Sequence, residues 1–151
     1  MSFGRIPAYL LITLAATAAC ERLGPGARAA DPKNVVVLHS SQSVLPATVA
    51  ADAAIRRELV AGAPGPVEVF SEFLDTERFP EAEQAARMEA FLHDKYARRQ
   101  IDLVIATGSE ALDFLVHRRS TLFSRAAVLF TGISEDELRA RHLPPDVSGF
   151  F

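Results

Sequence analysis

The feature that most constrains this chain is an alternation of short apolar runs with stretches of helical spacing, repeated from residue 35 to the end. Val35-Val36-Val37-Leu38 is uninterrupted and β-branched, as a strand covered on both faces requires. Pro46 to Ala61 reads as a helix with Ala51, Ile55 and Leu59 along one side, stopped by Gly62-Ala63-Pro64-Gly65-Pro66. Val67-Glu68-Val69-Phe70 alternates more and suits a strand nearer an edge. Pro80 suits a helical first turn, with Glu81 and Glu83 at its positive end. Ala85, Met88, Leu92 and Tyr96 then form a core stripe. Glu83 with Arg87 and Asp94 with Arg98 are spaced as pairs on the wet side.

Ile101 to Ala106 predicts the third strand. Thr107 with Glu110 fits a capping box opening a helix that turns Ala111, Leu112, Leu115 and Val116 inward. Ala126 to Phe130 is the fourth strand. Ser134 with Glu137 is a second capping box for a short helix to about Arg141, and Val147 to Phe151 is the fifth strand. Strands alternating with helices imply a parallel sheet with right-handed crossovers. The expected fold is α/β: a three-layer, doubly wound, five-stranded parallel sheet of order 2-1-3-4-5.

Composition restricts the function classes. At 151 residues, 49% hydrophobic and 23% charged, the chain is an ordinary globular domain with net charge -3. Nucleic acid is not an expected partner. Lys95, Arg98 and Arg99, and Arg118-Arg119, lie on helices among acids and read as solvated faces.

Residues 1–29 read as a signal peptide, leaving 30–151 as the exported domain. Arg5 gives a positive start, and residues 8–19 run without a charge over a length too short to span a hydrocarbon core of ~30 Å. Ala27-Arg28-Ala29 fits a cleavage site. Thr17-Ala18-Ala19-Cys20 offers a lipoprotein alternative. Residues 24–29 also match a loose dinucleotide pattern, G-x-G-x-x-A, but precede the first strand and contain Pro25, so that reading is rejected.

In doubly wound sheets, ligands bind beyond the carboxyl ends of the strands. Three polar segments are expected to meet there: His39, Ser40, Ser41 and Gln42 after the first strand; Thr107, Gly108, Ser109 and Glu110 after the third; Thr131 and Gly132 after the fourth. Free amides at the start of the third helix, with the hydroxyls of Thr107 and Ser109, suit a carboxylate or other polar group. Glu72 and Asp75 follow the second strand and reach the same edge, where a solvated loop is the plainer expectation.

Catalytic signatures are missing from the sequence. His39, His93, His117 and His142 lie on separate elements without metal-ligand spacing. There is no G-x-S-x-G elbow and no phosphate-binding loop. A phosphate-accepting receiver would need acids where His39-Ser40-Ser41 and Thr107-Gly108 stand. No cofactor, no metal and no enzymatic activity is expected, with a flavodoxin-like cofactor protein kept as an alternative.

Several stretches resemble periplasmic substrate-binding-protein-like sensor domains: residues 35–41 with Leu45-Pro46, Phe70 to Asp75 with Arg78-Phe79, Phe91 to Tyr96, Asp102 to Ala106, Glu110 to Leu115, and Pro145 to Gly149. The resemblance covers about residues 33 to 151. It implies the first lobe of a type I periplasmic-binding-protein-like fold outside the inner membrane, with the ligand held between two closing lobes. Glu72 to Asp75 and Asp94 to Tyr96 look like the branch attached to sensor histidine kinases, the input module of two-component signalling. The alternative within the family is the solute-binding component of an ABC-type importer. The resemblance further implies that a second lobe, and a membrane-bound kinase or transporter, lie outside this sequence.

Overall fold

A computed structural model describes residues 31–150; the leader, with Cys20 and the pattern at 24–29, lies outside the described residues. Nine elements follow in the expected order: β1 (Lys33–His39), α1 (Pro46–Gly62), β2 (Val67–Phe73), α2 (Ala82–Tyr96), β3 (Leu103–Thr107), α3 (Ser109–His117), β4 (Ala127–Thr131), α4 (Glu135–Arg139) and β5 (Val147–Gly149). The five strands form one sheet ordered β2-β1-β3-β4-β5, and every pairing is parallel. The doubly wound α/β expectation therefore holds, with the alternating second strand at an edge.

Side chains alternate across a sheet, so β1 feeds both layers. Val36 and Leu38 join Val104, Ala106, Val128 and Phe130 against Leu92 and Tyr96 of α2 and Leu112 and Leu115 of α3. Val35, Val37 and His39 face the other way, where α1 approaches through Asp52 and Arg56. Each fully buried valine or leucine contributes about 2 kcal/mol of transfer free energy. That is why a run of four apolar residues specifies a central strand.

Four local expectations need correction. First, β2 runs three residues beyond Phe70, so Glu72 is a strand residue and not a solvated loop. It is buried, and its Oε1 accepts from Lys95 Nζ at 2.6 Å and from the Tyr96 hydroxyl. A buried carboxylate requires such partners. Second, Thr107 does not cap α3. It ends β3, and Gly108 occupies the cap position without a side-chain bond. Third, Glu83–Arg87 and Asp94–Arg98 are not among the ion pairs of the described residues; Asp94 pairs with His93 instead. Exposed pairs on a helix contribute only a few tenths of a kcal/mol, too little to fix long side chains. Fourth, β5 ends at Gly149, leaving out Phe150, which the sequence placed in the strand. The Ser134–Glu137 capping box does form.

Candidate functional site

The strand register aligns the carboxyl ends. His39 lies opposite Thr107, and Thr107 opposite Thr131. Beyond this edge is a cleft of about 320 Å3. Eight of the ten expected residues line it: His39, Ser40, Ser41, Thr107, Gly108, Ser109, Glu110 and Gly132. Gln42 and Thr131 stand outside the lining. The Gln42 carbonyl takes the Leu45 N–H in a turn, and the Thr131 carbonyl takes the Gly108 N–H at 3.0 Å.

Ser40 builds the floor. Its hydroxyl donates to the Thr107 carbonyl at 3.0 Å and accepts from the Ala111 N–H at 2.9 Å. A serine in the loop just after β1 thus supplies the cap that the third helix lacks on its own segment, filling one orphan donor. The arrangement needs Gly108, whose φ is +92° and whose missing Cβ would meet Ser40 Oγ at 2.6 Å.

His39 supports the wall from behind. It is 1% exposed and stacks on Phe73 at 4.9 Å. Its Nε2 lies 3.2 Å from the Asp52 carboxylate, an acceptor, so Nε2 carries the proton. Its Nδ1 then accepts from the Thr107 hydroxyl at 2.8 Å. Burial pushes the imidazole pKa down, and Asp52 offsets only part of this. Burial works against the Asp52 charge too, but hydrogen bonds from Ser71, Arg56 and His39 outweigh it and hold that carboxyl below its ordinary range. Arg56 also donates to the Val69 carbonyl at 2.8 Å and to Ser71 at 2.6 Å, tying α1 to β2. Expected as a ligand residue, His39 has both ring nitrogens occupied within the fold.

The sequence reading missed Glu137. It accepts from Ser109 Oγ at 2.6 Å and from the Ser134 hydroxyl and N–H at 2.6 and 2.9 Å. Those bonds, Ser109 first, hold its pKa at about 2. The capping box located Glu137 correctly but gave no sign that α4 folds back over the start of α3. Thr48 and Ala51 of α1 also line the cleft. Their small size and helical spacing were the available signal. Asp75 is committed to Arg78 through Nε at 2.9 and 2.8 Å.

The arrangement can hold a small polar molecule by hydroxyls and carboxylates. Among the described residues there is no group of three or more His, Cys, Asp or Glu side chains suited to a metal, and no helix long and apolar enough to cross a membrane. Comparison with protein-family models, with curated proteins and with solved structures finds no match for this chain.

Proposed function

We propose that the chain is an extracytoplasmic ligand-binding lobe, the sensing input of a two-component histidine kinase, and that it performs no chemistry itself. The observation that carries the reading is the convergence of the β1, β3 and β4 loops on one polar cleft at the carboxyl edge. Ligands occupy this position in open α/β sheets because loops of separate strands diverge there and leave a crevice. Support for the kinase-linked branch comes from the two sequence phrases that resemble it. They are physically joined, since Lys95 and Tyr96 both bind Glu72 and so fasten α2 to β2. In this reading the polar cleft forms half of an inter-lobe site, and closure by a second lobe removes the ligand from water.

The test is a thermal-stability screen of amino acids, amines, small carboxylates and sugars on the full-length protein and on its Thr107→Val, Ser109→Ala variant. The expected result is a compound that raises the melting temperature of the wild type by several degrees and the variant's by less. Equal stabilisation of both proteins by every active compound would refute the site. A periplasmic alkaline phosphatase reporter fused after Ala30 is expected to be active, and an inactive fusion would refute export.

A further inference from the structure

We infer that the cleft selects an organic cation, an ammonium or guanidinium group on a small body, over carboxylates and phosphates. The inference rests on reading the cleft as the ligand site. Its basis is the charge left over once each side chain's protein partners are counted.

Among the described residues the cleft contains two carboxylates, Glu110 and Glu137, and one basic side chain, His39, held neutral and bonded on both nitrogens. Glu110 is exposed and has no hydrogen-bond partner among the described residues. Two guanidinia act on the charged groups of the cleft, Arg56 on His39 and Arg141 on both carboxylates, and both are committed, Arg56 to Asp52 at 2.9 Å. Arg141 binds Asp113 twice at 2.8 Å and the Glu137 carbonyl at 2.5 Å. Arg78 is spent on Asp75. Two cations without an ion pair among the described residues, Arg98 and Arg125, line a separate cavity of about 430 Å3 at the far end of the sheet, before β3 and β4. Glu110 and Glu137 thus stand at the carboxyl edge, while Arg98 and Arg125 stand at the amino edge.

One feature favours an anion. The start of α3 presents N–H groups, and a helix start is equivalent to roughly half a positive charge. Two full carboxylates stand over that half charge, and one of them, Glu137, already engages Ser109 there. The remaining field is negative. The hydroxyls of Ser41 and Thr107 accept hydrogen bonds as well as donate them, so they suit an ammonium donor equally. A second cleft of about 340 Å3 shares Glu110 and adds Glu77 and Glu81 around Met88, Phe79 and Phe114, which extends the same preference to a cation with an apolar tail.

The test uses three probes of one shape: n-butylammonium, butanamide and butanoate, titrated at pH 7 and fixed ionic strength into 15N-labelled protein while backbone amides are followed. Butylammonium is expected to shift the Ser109, Glu110 and Gly132 amides and to bind about ten-fold more tightly than butanoate. Glu110→Gln is expected to weaken it about two- to five-fold, the scale of one exposed ion pair, with an unchanged melting temperature. If those amides respond best to butanoate or butanamide, or if Glu110→Gln leaves butylammonium binding unchanged, the charge preference is overturned while the site stands. If no probe moves those amides, the cation inference and the site fall together.

Discussion

At the scale of single residues, Ser40 and Gly108 depend on each other. The Ser40 hydroxyl fills the space a Cβ at Gly108 would take, and both hold the third helix against the first strand. Gly108→Ala is expected to cost about 1–3 kcal/mol through its positive φ and the displaced serine. Ser40→Ala is expected to cost about 1–2 kcal/mol as a lost cap. Because the alanine at 108 already dislodges the Ser40 hydroxyl, the double variant is expected to lose less than the two costs added, by at least ~0.5 kcal/mol in urea unfolding. Strict additivity would contradict the contact. His39 gives a second residue-scale expectation. Its folded pKa lies below the ordinary value of 6.5, so between the two the unfolded chain binds more protons. Stability is then complete above about pH 6.5 and falls as pH drops from there toward the folded pKa. Asp52, also lowered, adds a further loss below its ordinary value of 3.8. His39→Gln is expected to flatten the upper of these two windows while leaving the lower loss visible, in denaturation midpoints measured from pH 3 to 8.

At the scale of elements, strand and helix identity was legible because it rests on local pattern. The valines of β1, the prolines and glycines after α1 and the stripe of α2 each report a period or a stop. What the pattern could not show was where one element lends a group to another. Thr107 with Glu110 has the spacing of a capping box, yet Thr107 belongs to the β3 ladder and the cap comes from Ser40, 71 residues before Ala111. Likewise, Glu72 reads as polar and therefore as loop, whereas Lys95 and Tyr96 make its burial tolerable within β2. The edge strand β5 carries a similar unreadable constraint. A Cβ on Gly149 would come within 2.5 Å of the Phe130 ring and carbonyl. Gly149→Ala is therefore expected to push β5 off β4 and to cost about 1–3 kcal/mol. A variant as stable as the wild type, with the Phe150 N–H still protected by the Phe130 carbonyl, would show that the strand has room.

At the scale of the whole molecule, the sequence indicated which edge gathers the polar loops of the cleft but not its charge. Topology follows from element order, and the carboxyl edge follows from topology. Charge at that edge depends on which ions are paired across elements, as Arg141 is with Asp113 of α3, and no single segment reports this. The same global view predicts how the fold opens. One layer packs α2 and α3 on the sheet through Leu92, Tyr96, Ala111, Leu112, Phe114 and Leu115, all buried. In the other layer, α1 fully buries only Thr48, half-buries Ile55 and Leu59 and leaves Val49 and Val60 exposed, and the polar groups Asp52 and Arg56 add to its hold on the sheet. Polar fastenings at a partly wet interface contribute less than dense apolar packing. Native-state hydrogen exchange is therefore expected to find the slowest amides in the middle of β1 and β3, and to find α1 amides opening at least about ten-fold more readily than those of α3. Raising salt is expected to widen that gap, because screening weakens the Asp52–Arg56 contact and leaves the apolar layer untouched. Exchange from α1 as slow as from α3 would mean that the apolar side chains of α1, not its ion pair, hold it to the sheet.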